Sequence, residues 1–304
     1  MIVTVTPNPA LDLTYHVDAF EAGESLRVDG ALVRAGGKGV NVARVARQAG
    51  ERSLAIAAVG GATGREFTDE LTASGLENVL VRASGATRRS VAIVDRSTGE
   101  TTIMNERGAA VTAADRAGLT SAVRTSLADA RCLVVSGSLP PGMPNTFCAD
   151  LVRAAHDTGI PIVVDAVEEA LVAAARAGAD VVKPNRAELR ATTGLTDPIA
   201  GARVLLDHGA LLALVSLGAD GMLAVTPHGA LHARMPRPLD GNPTGAGDAA
   251  VAAVAVSISR GDHDIRDQLV RATAWSASAV LRPAAGELAD NFRELEQLVD
   301  VVDA

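Results

Sequence analysis

A chain of 304 residues with 48% apolar and 21% charged side chains can bury a sizeable core and carries no bias towards disorder. Its net charge of −8, with no block of consecutive basic residues, argues against a nucleic-acid or anionic-membrane surface; no apolar run reaches the ~20 residues of a membrane span. Only two cysteines occur, Cys132 and Cys148, outside any Cys/His cluster, which argues against structural zinc and a disulfide framework; buried, inert packing in a reducing cytoplasm is expected.

Residues 1–5 read at once as a strand without a basic leader, so no signal peptide is expected. The polar turn Asn8-Pro9-Ala10-Leu11-Asp12 follows. Short alternating strands are predicted at 14–17 and 27–33, then a glycine turn, Gly36-Gly37-Lys38-Gly39, opens a helix over 40–49. A strand at 54–59 and a helix at 64–74 precede two more alternating strands, 90–95 and 101–105, joined by the turn Ser97-Thr98-Gly99-Glu100. From residue 130 the pattern changes to apolar β-rich runs at 132–136, 161–165, 180–183 and 211–216. These alternate with helical stretches at 145–157, 168–177, 186–193 and 199–208. Strands rich in Val, Leu and Ile on both faces imply a sheet covered by helices on two sides, hence an α/β fold with a largely parallel sheet. The alternating strands of the first third suit a small separate sheet. No internal repeat or long linker divides the chain, so one domain over 1–304 is expected.

Ligands of open α/β sheets gather at the carboxyl ends of the strands. Glycine-rich and polar motifs fall there: Ser136-Gly137-Ser138, Lys183-Pro184-Asn185 and Ser216-Leu217-Gly218-Ala219-Asp220-Gly221. The sharpest is Thr244-Gly245-Ala246-Gly247-Asp248, which enters the alanine-rich helical run 249–259. Its glycines can turn backbone N–H groups to one point at a helix N-terminus, which makes an anion nest. Asp248 is placed there as a general base for an alcohol, the bland alternative being a helix cap. Lys38 could hold an anion at its own helix start, and Asn41 offers an amide to a polyol; the Gly36–Lys38 turn lacks the spacing of a Walker A loop.

These motifs, in this order, resemble the PfkB (ribokinase-like) carbohydrate kinases, and within them the hexose-phosphate branch that holds the 1-phosphofructokinases. The resemblance covers nearly the whole chain and implies a three-layer fold with a small β lid from about 12–35 and 86–107. It implies Asp248 as catalytic base and Gly245, Ala246 and Gly247 as anion hole for the transferred phosphoryl group. ATP and Mg2+ would be the cofactors, with Lys183, Asn185, Glu188, Ser216, Gly218 and Gly221 around the nucleotide and Glu188 supporting the metal through water. Taken alone, Glu188 reads equally well as a first-turn helix acid. Asp12 and Asn41 would hold sugar hydroxyls beside Gly37. Lys38, Arg27 and Arg88, with Ser138, would hold a phosphate already on the sugar; Arg89 and Arg107 are further candidates, although exposed lid arginines forming surface pairs are the commoner case.

Three converging cations suit a phosphorylated hexose better than a neutral sugar. Fructose 1-phosphate going to the 1,6-bisphosphate is the leading expectation, with Lys38 tilting the choice. Fructose 6-phosphate or tagatose 6-phosphate is the alternative, followed by a neutral-sugar or nucleoside kinase, or a non-catalytic sugar-phosphate-binding regulator. Pairing of lid edges makes a homodimer an expectation. Departures from the family pattern stand at Asn242-Pro243-Thr244, Arg89-Ser90, Asp165-Ala166-Val167-Glu168 and Leu281-Arg282-Pro283.

Overall fold

The computed structural model describes residues 1–304. In chain order the elements are β1 (Ile2–Thr6), β2 (Ala10–Val17), β3 (Leu32–Gly36), α1 (Lys38–Gln48), β4 (Ser53–Val59), α2 (Gly61–Ala73), β5 (Asn78–Arg82), β6 (Arg88–Asp95), β7 (Thr101–Asn105) and α3 (Ala113–Ser126). They continue with β8 (Cys132–Ser136), α4 (Phe147–His156), β9 (Ile162–Asp165), α5 (Glu168–Arg176), β10 (Val181–Val182), α6 (Arg186–Thr193), α7 (Pro198–Asp207) and β11 (Leu212–Ser216). Last come β12 (Met222–Thr226), β13 (Gly229–Arg234), α8 (Ala246–Arg260), α9 (Ile265–Val280), α10 (Phe292–Glu296) and β14 (Asp300–Asp303).

The large sheet has ten strands in the order β14-β13-β12-β11-β10-β9-β8-β1-β4-β5. From β5 to β11 all neighbours run parallel, and β12, β13 and β14 close the edge antiparallel. Side chains of β1 alternate between two cores: Val3 and Val5 join 34 buried residues on one face, Ile2 joins 30 on the other. Burial that nearly equal on both faces is what a parallel β-branched sheet requires, and it confirms the α/β reading. The chain order reverses at β1, which lies between β4 and β8, so a crevice opens at the carboxyl ends of β1 and β8.

Four strands form a second sheet, β3-β2-β6-β7. Its first strand begins at Leu32 rather than 27, and residues 27–31 belong to no element. The run read as strand there is interrupted by Asp29 and Gly30, both poor strand formers. β10 is likewise shorter than its apolar run. The antiparallel edge escaped the sequence reading, although Met222–Thr226 and Gly229–Arg234 alternate about a two-residue turn. Both thiols are buried, and burial pushes Cys148 up to about 12 and Cys132 higher still, so the inert role holds.

Glu168, which opens α5, has φ 53°, the sole non-glycine residue with positive φ. An L side chain there costs about 1–2 kcal/mol, partly offset by the greater entropy glycine loses on folding. Glu168→Gly is therefore expected to raise stability by about 0.5–1 kcal/mol, seen as a higher urea midpoint at unchanged slope. A lowered midpoint would show that contacts of the Glu168 side chain outweigh its backbone strain.

Candidate active site

A cavity of about 1250 Å³ opens at the carboxyl ends of the central strands and beneath the small sheet. At one side lies the N-terminus of α8. Gly245 caps it at φ 87°, and a β-carbon there would come within 2.8 Å of Ala285, so glycine is needed for shape and conformation alike. Gly245, Ala246, Gly247 and Asp248 all line the cavity. Asp248 sits in the helix's first turn and is only 5% exposed; its Oδ2 accepts from Asn41 Nδ2 at 2.8 Å. Burial raises its pKa to about 6, against the pull of Lys38 and the Asn41 hydrogen bond. Near neutral pH such a carboxylate is ionised and still basic enough to take a proton.

Asp165, at the end of β9, organises the floor. It is buried, accepts from Ser136 Oγ at 3.0 Å, and stands 3.2 Å from Lys38 Nζ and 3.3 Å from Lys183 Nζ. Burial alone would raise its pKa; the two lysines and Ser136 together overcome this and hold it below the usual carboxylate range. The same partnership raises the pKa of Lys38, Asp165 contributing most. Lys183 also borders the nest, since a β-carbon on Gly247 would lie 3.4 Å from its Nζ. Two cations thus face the nest across one shared acid.

Asn185 and Glu188 form a capping box at the start of α6: Asn185 Oδ1 accepts from Glu188 N at 2.9 Å, and Glu188 Oε2 accepts from Asn185 N at 2.8 Å. The helix-acid reading of Glu188 therefore holds. Its other oxygen, Oε1, lies 3.8 Å from Lys38 Nζ and faces the cavity. No group of three or more His, Cys, Asp or Glu side chains forms a metal cage. Ser216, Gly218 and Gly221 line the same end.

The small sheet roofs the other end. Register places Arg34, Asp12, Ser90 and Asn105 in one row across its four strands, and Asp12, Ser90 and Asn105 line the cavity. Gly36, two residues beyond Arg34, must lack a side chain, because a β-carbon would fall 1.9 Å from Asp12 Oδ2. Burial raises the Asp12 pKa to about 7 despite nearby Arg88. Arg88 lies two residues before Ser90 and so points to the same face, while Arg107 follows Asn105 by two; both line the cavity with Gly37, Lys38, Asn41 and Ser138.

A family model described as pfkB family carbohydrate kinase matches residues 6–291. The chain belongs to this family. It is 36% identical to a 1-phosphofructokinase of Haloferax volcanii over 95% of this chain and 94% of that one. It is 32% identical to ATP-dependent 6-phosphofructokinase isozyme 2 of Mycobacterium tuberculosis, over 99% and 89%. The solved phosphofructokinase-2 of Escherichia coli in complex with fructose-6-phosphate superposes with a TM-score of 0.86 at 29% identity, covering 97% of this chain and 98% of that one.

Within this pfkB-family site most sequence-derived positions line one cavity, and Arg27 and Arg89 lie outside it. Arg27 is exposed and outside the cavity, since the strand expected to carry it starts five residues later. Arg89 is absent from the lining of the main cavity, because alternation along β6 turns it away from the face of Arg88 and Ser90; it lines an adjoining pocket that shares Arg88, Glu106 and Arg107 with the cavity. Lys38 lines the cavity with Arg88 and Ser138, and its ammonium is paired with Asp165 at 3.2 Å and Glu188 at 3.8 Å. Asn41 holds Asp248 by its amide. Sequence reasoning missed Asp165, Asn105 and the cavity face of α9, formed by Thr273, Ser276, Ala277 and Val280. The helical spacing of those four small or apolar side chains was the available signal.

Proposed function

We propose that this kinase transfers the γ-phosphoryl group of ATP to the free primary hydroxyl of a ketohexose monophosphate, with fructose 1-phosphate as the favoured acceptor. One observation carries the reading: Asp248, raised to about 6 within the nest of α8, shares a cavity with Asp12 and Arg88 of the roof. The 36% identity to a 1-phosphofructokinase favours fructose 1-phosphate over the 6-phosphates. Phosphoryl transfer requires mainly placement and neutralisation of oxygen charge. Asp12 binds acceptor hydroxyls, and Arg88 and Arg107 with Ser138 meet the phosphate the sugar already bears. Asp248 accepts the hydroxyl proton at its carboxylate. The amides of Gly245–Gly247, with Lys183 and Lys38, meet the charge on the migrating group.

Magnesium fits this donor set as an ion carried by nucleotide phosphates and water. Such an ion needs only one or two protein carboxylates, and Glu188 Oε1 would steady it through water. When bound it would neutralise charge on the nucleotide's phosphate oxygens. The test is ADP release over fructose 1-phosphate, fructose 6-phosphate, tagatose 6-phosphate, fructose and ribose, with and without Mg2+. The highest kcat/KM on fructose 1-phosphate is the expected outcome; preference for a free sugar would overturn the role given to the arginines.

A homodimer through the roof belongs to the same reading. Leu32 and Met104, each 53% exposed, and Val33 and Ile103 leave apolar surface on the small sheet. Leu32→Glu is expected to shift the mass measured by light scattering from dimer to monomer. A monomeric wild type would refute the pairing.

A further inference from the structure

The segment between α9 and α10 touches both the roof and the catalytic groups. Glu287 lies within it and divides its carboxylate between two arginines: Oε1 accepts from Arg34 Nη1 at 2.8 Å, and Oε2 from Arg282 Nη2 at 3.0 Å. Arg34 is the roof residue directly across the strand from Asp12, and the ion pair is part-buried, its side chains 18% and 32% exposed. Two residues before Glu287, Ala285 sits against Gly245, where an added β-carbon would come within 2.8 Å. The next residue, Gly286, passes so near Asn41 that a β-carbon would lie 3.1 Å from its Oδ1, and Asn41 donates to Asp248. Just beyond Glu287 the segment is clamped: Leu288 and Gln48 exchange reciprocal hydrogen bonds of 2.8 Å, and Ala289 N donates to Ser278 Oγ at 2.9 Å.

We propose that Glu287 is a positioning residue that couples seating of the acceptor under the roof to the shape of the Gly245–Gly247 nest and the aim of Asp248. The inference rests on the kinase reading of the site. Acceptor hydroxyls at Asp12 fix the strand row that includes Arg34, and Arg34 is joined through a single carboxylate to the segment that touches Gly245 and Asn41. The other tie close to Arg34 is different. Ala35 N and Arg44 both donate to Glu70 Oε2, which fastens β3 to α1 and α2; Arg44 also passes beside Gly286, where an added β-carbon would lie 3.3 Å from its Cδ, so this tie meets the segment by packing and Glu287 meets it by an ion pair. An ion pair as exposed as Arg34–Glu287 adds little to stability. Its geometry is that of a link between a lid and a reaction centre, where small displacements matter.

Steady-state kinetics of Glu287→Gln, Arg34→Gln and the double variant, with ATP and fructose 1-phosphate, test this. Each single change is expected to lower kcat about tenfold and raise the sugar-phosphate KM while leaving the KM for ATP near wild type, and the double variant to lose about tenfold rather than a hundredfold, because either change cuts the same link. Melting temperatures of the active variants are expected to stay within about 2 °C of wild type, a pure structural role moving these first. Multiplying losses in the double variant, or unchanged kcat in both singles, would overturn the coupling. If Glu287→Gln does not fold, Arg34→Gln decides alone: a tenfold lower kcat at unchanged melting temperature supports the link, and an unchanged kcat overturns it. Wild-type protein that turns over no ketohexose phosphate would instead sink the kinase reading, and the coupling with it.

Discussion

Asp248→Asn is expected to cut kcat about a thousandfold while ATP affinity, measured by calorimetry, stays near wild type, because only the proton acceptor is lost. The same change should stabilise the protein at neutral pH. In the folded state this carboxyl titrates near 6 against an ordinary value of 3.8, so between those values the native protein binds more protons than the unfolded chain. Stability then falls as pH rises through that window, and the whole penalty is present above it. An amide of the same shape has no charge to desolvate and can still accept from Asn41. A gain on the order of 1–3 kcal/mol in unfolding free energy at pH 7 follows. Wild-type kcat should fall as pH drops below about 6, tenfold per unit, as the base becomes protonated. Equal turnover by wild type and variant would remove Asp248 from the chemistry; lost activity with lost stability would mark a damaged fold.

Asp165→Asn should act in the opposite sense on stability. Lys183 is only 3% exposed, and Asp165 is the one carboxylate within ion-pair distance of it. Removing that charge strands a buried ammonium, at a cost of about 3 kcal/mol or more. Activity should fall about a hundredfold as well, since both lysines that face the nest lose their common anchor. The pKa of Asp165 is depressed in the folded protein, so its contribution is present at neutral pH and disappears on acidification below the ordinary carboxylate range. Urea unfolding at pH 7 and a kcat measurement check both halves. Wild-type stability in the variant would show that Lys183 does not depend on Asp165 for its partner.

How much of this could be read from the chain depended on whether local pattern or distant pairing set the outcome. The helix of Ala246–Arg260, its glycine entry and Asp248 were legible because turn chemistry, dipole and apolar run coincide within twenty residues. The carboxyl-end position of Ser138, Lys183 and Ser216 followed from strand alternation with helices. Asp165 was passed over because its role consists of two lysines, one 127 and one 18 residues away, and nothing adjacent hints at either. The pairing of Lys38 with Asp165 and Glu188 was hidden for the mirror-image reason: its glycine turn announces an anion site, whereas three-dimensional proximity decides which acids stand beside it. The place of Arg27 outside the cavity was hidden by a strand boundary, which Asp29 and Gly30 shift. The capping box at Asn185 and Glu188 shows a motif serving two ends, since one oxygen closes the helix and the other faces the cavity.

The alternation along β6 has a consequence for how this kinase tolerates change. Arg88 and Ser90 look inward and Arg89 outward, while Val91 is matched across the strands with Leu13 and Met104. Deleting one residue just ahead of Arg88 would slide the strand by half its period, presenting Arg89 and Val91 to the acceptor and expelling its phosphate ligand. Length variation among relatives should therefore collect in the 96–100 turn, where β6 and β7 can lengthen together, and be purged from the stretch between Ala83 and Ser90.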